Sequence, residues 1–111
     1  MRKVEFRVMN EFEIAKVELR GTSSMENANE ICEETAVGER IVFCPEPDNP
    51  FDSNAVAVKK ENGVLLGYIP RTEAPFVCML LKSNQKIFGR VSKVNTKRKT
   101  VTVTLTGERL Y

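Results

Sequence analysis

The run Thr100-Val101-Thr102-Val103-Thr104-Leu105-Thr106 alternates hydroxyl and aliphatic side chains without a break. A helix would scatter Val101, Val103 and Leu105 round its surface, whereas a strand puts all three on one face. The run before it, residues 87–94, has strand character with Gly89 as a possible bend, and Asn95-Thr96-Lys97-Arg98-Lys99 between them makes a basic hairpin tip. A second hairpin is written at Lys60-Glu61-Asn62-Gly63, because an Asn-Gly step between residues 55–59 and 64–69 suits a tight turn between antiparallel strands. The chain is therefore built on antiparallel sheet.

The other segments complete that frame. Val4-Glu5-Phe6-Arg7-Val8-Met9 alternates as a half-buried strand, Asn10-Glu11 can turn the chain, and residues 14–19 read as a second strand. Gly21-Thr22-Ser23-Ser24 breaks the pattern, and Ser23 or Ser24 can cap a short helix from Met25 bearing Ala28, Ile31 and Cys32 on one face. Residues 40–44 form a further strand. Thr72 is a suitable cap for a helix over residues 73–83, with Pro75 in its first turn and Phe76, Val77, Leu80 and Leu81 as its buried stripe. About seven short strands and two small helices predict a curled or closed antiparallel sheet with helices plugging an end. The absence of a repeat or low-complexity linker makes residues 1–111 one expected domain, a free-standing module.

Composition removes several function classes. There is no histidine among the 111 residues, which excludes Ser-His and Cys-His catalysis and any imidazole zinc site. Cys32, Cys44 and Cys78 are odd in number and scattered, which fits reduced thiols in a cytosolic protein. The runs Val64-Leu65-Leu66 and Phe76-Val77-Cys78-Met79-Leu80-Leu81 are too short to span a bilayer, so no membrane partner is expected. Charge is uneven along the chain. Residues 1–50 carry 11 acids and 6 bases, whereas residues 51–111 carry 4 acids and 11 bases. A basic second half suits a polyanionic partner, although a solvated basic face produces the same count.

Between two strands lies Glu46-Pro47-Asp48-Asn49-Pro50-Phe51-Asp52-Ser53-Asn54. The prolines fix φ and cannot extend the ladder, and the Asx and serine side chains fold back onto nearby backbone. This is a stiff polar loop holding one ring. Residues alone leave open whether Phe51 packs beneath its own loop or faces a partner, and whether Tyr68 is simply a sheet residue. Asp48, Asp52 and Asn54 have three positions of a calcium-loop spacing, but Ser53 stands where glycine is needed and Lys59 where the last glutamate is needed. Glu46, Asp48 and Asp52 offer a weaker reading as a metal-dependent nuclease. No metal or other cofactor is expected, and the chain is read as a non-enzyme.

The run "EPDNPFDSNAVAV" followed by "LGYIPR", with Ala74 and Leu80-Leu81 beyond, resembles the HIRAN domain family over roughly residues 14–95. That resemblance implies an OB-like antiparallel β-barrel with small helices, found alone in bacteria or fused to helicase-like and nuclease domains. One form of the family recognises the free 3′ end of single-stranded DNA, which implies a role in DNA repair beside a helicase or nuclease acting in trans. Carried over by position, Phe51 is the ring that stacks on the terminal base and Asp52 the acid that accepts from the 3′-hydroxyl. Asn49 is a polar neighbour, Arg71 a phosphate contact and Tyr68 the residue beside it. Lys97, Arg98 and Lys99 are further candidate phosphate contacts from the charge pattern. In the DNA-binding form a second ring and an arginine lie on the segment matching residues 21–24. Here Ser23 and Ser24 stand there, with Arg20 adjacent, and one side of a base sandwich is lost, worth roughly 1–3 kcal/mol. The alternative expectation is a protein-interaction or regulatory barrel that no longer binds DNA ends.

Overall fold

A computed structural model of the protein describes residues 9–83 and 85–110. Along the chain come β1 (Met9–Glu18), a 3-10 turn (Thr22–Ser24), α1 (Ala28–Glu34), β2 (Arg40–Pro45), β3 (Val56–Lys60), β4 (Leu65–Tyr68), α2 (Ala74–Lys82), β5 (Lys86–Asn95) and β6 (Thr100–Leu110). All pairings are antiparallel, in the order β1-β6-β5-β2-β3-β4. The mainly-β, OB-like architecture with two helices is as the sequence predicts. The ladder does not close. Its two edges meet through one bridge, in which Arg20 and Tyr68 exchange backbone hydrogen bonds of 2.8 and 2.9 Å.

The core follows from alternation. Val101, Val103 and Leu105 of β6 are fully buried, together with Val91, Val56, Val58, Leu66 and Leu19. From α2, Ala74 and Val77 enter the same cluster, with Leu80 and Leu81 packed against it. Phe76 does not join the stripe and is 45% exposed, because it lies about 200° round the helix from Ala74. Gly89 does not bend β5. A Cβ there would stand 2.6 Å from the Phe43 ring, so the glycine makes room for that side chain.

Three local expectations yield to tertiary pairing. The chain does not turn at Asn10-Glu11, and β1 runs straight through both residues, opposite Arg109 and Glu108. The eleven-residue β6 supplies a ladder that outweighs the turn preference of one asparagine. Most of the expected strand at residues 4–9 lies outside the described residues, and six strands are present among those described. Ser23 and Ser24 fall in the 3-10 turn and cap nothing, and α1 begins after Asn27. Gly21, at φ +87°, turns the chain so that Thr22 points inward, where its hydroxyl donates to the Leu66 carbonyl at 2.6 Å. Thr72 likewise does not cap α2, since its hydroxyl donates to the Glu73 carboxylate instead.

One buried charge ties helix to sheet. The Lys60 ammonium donates to the Glu34 carbonyl at the C-terminus of α1 (2.7 Å) and lies 3.4 Å from the Glu39 carboxylate. A cation at a helix C-terminus opposes the negative end of its dipole. Lys60→Met leaves both acceptors without this donor and is expected to cost about 2 kcal/mol. Thermal unfolding should then fall by about 8 °C. An unchanged midpoint would show that the lysine contributes only its aliphatic stem.

Candidate functional site

The loop between β2 and β3 is held shut at its base, where the Glu46 N–H donates to the Ala55 carbonyl at 2.8 Å. Inside it, Asn49 does most of the folding. Its N–H donates to the Glu46 carbonyl (3.0 Å) and its amide to the Glu46 carboxylate (3.0 Å). Its Oδ1 accepts from the N–H groups of Phe51 (2.8 Å) and Asp52 (3.2 Å). The Asp52 Oδ1 accepts from the Asn54 N–H at 2.9 Å, closing a second Asx turn.

Phe51 is thus pinned by its backbone on both sides, since its carbonyl also accepts from the Arg71 guanidinium. Its ring is 83% exposed. The reading in which this ring packs beneath the loop is excluded. Instead it walls an open cleft of about 390 Å³, together with Arg20, Asn49, Asp52, Tyr68 and Arg71, with Ala55 and Ile69 contributing apolar surface. The residues expected from the sequence, Phe51, Asp52, Asn49, Arg71 and Tyr68, therefore come together in one place. Lys97, Arg98 and Lys99 do not line it and sit at the β5–β6 tip, where Arg98 reaches Glu18 at 3.4 Å.

The electrostatics of the cleft are graded. Asp52 has one oxygen occupied by the Asn54 N–H, while the other faces the Arg71 Nε at 3.7 Å. Tyr68 donates its hydroxyl to both Glu46 oxygens at 3.1 Å. Burial, followed by that hydrogen bond and the Glu46 charge, pushes the Tyr68 pKa above the ordinary tyrosine value, so the phenol stays protonated and keeps donating. Arg20 has no ion-pair partner among the described residues. An exposed ring, an acceptor and two guanidinium groups are what a flat base on a hydroxyl-bearing, phosphate-linked sugar needs.

Two participants were hidden from residue-by-residue reading. Glu46 anchors both Asn49 and Tyr68, and the β2–β3 and β3–β4 pairings together bring it across to Tyr68. Arg20 enters through its bridge to Tyr68, a contact 48 residues apart in sequence that no local pattern announces. Ser23 and Ser24 are exposed and do not line the cleft, so that wall is formed by Arg20 without a second ring.

A family model described as the HIRAN domain matches residues 12–108. Among solved structures, the chain is similar to a protein from Lactobacillus plantarum, with 20% identity over 92% of this chain and 99% of that one, and a TM-score of 0.79. It is also similar to the HIRAN domain of human HLTF, with 19% identity over 85% of this chain and 74% of that one, and a TM-score of 0.69. At those identities the two structures speak for the fold. No curated protein matches the chain.

Proposed function

The chain belongs to the HIRAN domain family, and from that membership we propose that it is a nucleic-acid-binding module taking the free 3′-hydroxyl end of a single DNA strand into the Phe51 cleft. The observation that carries this reading is a phenylalanine held rigid by its backbone yet 83% exposed, at the wall of a cleft that also carries Asp52, Arg20 and Arg71. Folding gains nothing from such an exposed ring, whereas a stacking base does. In this reading Phe51 stacks on the terminal base and Asp52 accepts from the sugar hydroxyl. Asn49 fixes both in position, Glu46 ties Asn49 to Tyr68, and Arg71 and Arg20 meet phosphate. HIRAN domains are binding modules, so the module delivers an end to a helicase or nuclease acting in trans and does no chemistry itself.

Asp52 sets the end preference, because a carboxylate accepts from a hydroxyl and repels a terminal phosphate. Asp52→Asn is expected to bring oligonucleotides ending in 3′-hydroxyl and 3′-phosphate to equal affinity in fluorescence anisotropy. An end preference that survives the substitution would remove Asp52 from this role. A second reading, a regulatory barrel without end binding, draws on Ser23 and Ser24, which leave the cleft with one stacking wall. It requires no measurable binding of either oligonucleotide at low salt.

A further inference from the structure

The Phe51 cleft has two neighbours, and their chemistry differs. On the Asn49 side it adjoins a face lined by Pro45, Glu46, Pro47, Asp48 and Pro50, which carries two acids and no cation. On the Arg20 side it adjoins a second cleft, about 210 Å³, lined by Lys16, Glu18, Arg20, Thr72 and Glu73 among others. Arg20 is common to both clefts. At the border of the second cleft, the Arg98 guanidinium lies 3.4 Å from the carboxylate of Glu18, a residue of its lining, so the β5–β6 tip reaches its edge. The tip is built to project cations. Asn95 Oδ1 accepts from the N–H groups of Lys97 and Arg98 at 3.1 and 2.9 Å, and Lys99 sits at φ +56° to close the turn. Lys97 and Arg98 are exposed.

We infer that a DNA strand whose 3′ end occupies the Phe51 cleft leaves it across Arg20, runs through the second cleft beside Lys16, and reaches Lys97, Arg98 and Lys99 at the tip. This track rests on the end-binding reading and gives it a direction. The opposite exit would lay phosphates against Glu46 and Asp48, whereas this one lays them against Arg20, Lys16 and the three tip cations. Glu73 accepts from the Thr72 hydroxyl at the rim, and Glu18 competes with phosphate for Arg98. A strand on this track is expected to engage about five nucleotides, near the low end of the range for one OB-type barrel.

Oligothymidylates of two, five and ten nucleotides, each with a 3′-hydroxyl or a 3′-phosphate, test this by competition against a labelled ten-mer. Wild-type protein should gain about tenfold or more from two to five nucleotides and little from five to ten. A combined K97Q/R98Q/K99N variant, with asparagine chosen because it tolerates positive φ, should keep the dinucleotide affinity within about twofold. It should lose most of the gain at five nucleotides, and its salt slope should fall by about 2. Glu18→Gln, which frees Arg98, should tighten the five-mer about twofold or threefold and leave the dinucleotide unchanged. A length gain that persists in the triple variant overturns the track while a 3′-hydroxyl preference stands. Loss of that preference with the tip-dependent gain intact overturns the end reading alone.

Discussion

Gly67→Ala is expected to destabilise the fold by about 3 kcal/mol and to lower the unfolding midpoint by about 12 °C. Gly67 lies in β4 at φ +155°, a conformation that side-chain-bearing residues rarely adopt. A Cβ there would stand 2.7 Å from Thr22 Oγ1, 2.9 Å from the Arg20 carbonyl and 2.9 Å from Leu19 Cβ. Two of those neighbours are backbone or Cβ atoms and cannot swing aside. The contact also falls on the seam where the sheet edges meet, one residue from the Arg20–Tyr68 bridge. Separating the edges would move Arg20 and Tyr68, which both line the cleft, and would expose the Thr22–Leu66 hydrogen bond. Weakened oligonucleotide binding should therefore accompany the loss of stability, even below the midpoint. A midpoint within about 2 °C of wild type would show that the seam is slack.

Phe51→Ala is expected to do the reverse, leaving stability within about 0.5 kcal/mol while weakening oligonucleotide binding by about 1–3 kcal/mol, or roughly fivefold to 150-fold. The ring is 83% exposed, and the loop is held by the backbone and side chains of Glu46, Asn49, Asp52 and Arg71, none of which needs a benzene ring at position 51. Phe51→Leu keeps apolar bulk without the flat face and should recover only a minor part of the loss. Equilibrium unfolding in urea beside anisotropy on the same samples separates the two effects. A large fall in stability, with binding unchanged among the molecules still folded, would return Phe51 to a structural role.

What the sequence disclosed depends on whether the informative pattern is local. The β6 alternation, the Asn62-Gly63 turn and the Glu46–Asn54 loop are set by neighbouring residues, and all appear where periodicity and turn chemistry put them. All five expected cleft residues come from the two segments that carry the family resemblance, Asn49 through Asp52 and Tyr68 through Arg71. Their convergence needs only β3 to pair with β4, as the Asn-Gly turn dictates. Features that depend on non-local contact were not legible. Asn10-Glu11 became strand because β6 extends beside it, Phe76 faces outward because Ala74 and Val77 fix the helix phase, and Arg20 joins the cleft only through the seam. Glu46 has the residue type of a metal ligand, yet its carboxylate is occupied by the Tyr68 hydroxyl and the Asn49 amide. A carboxylate already accepting from two donors serves to hold the loop in place.

End recognition is tested most directly by one titration of the wild-type protein. The same short single-stranded oligonucleotide is presented once with a free 3′-hydroxyl and once with a 3′-phosphate, at low salt. With Asp52 facing the terminus, the hydroxyl form should bind at least about tenfold more tightly, because the phosphate form sets two anions against each other. Equal affinity for the two ends, or tighter binding of the phosphate form, would contradict a cleft that recognises the 3′-hydroxyl.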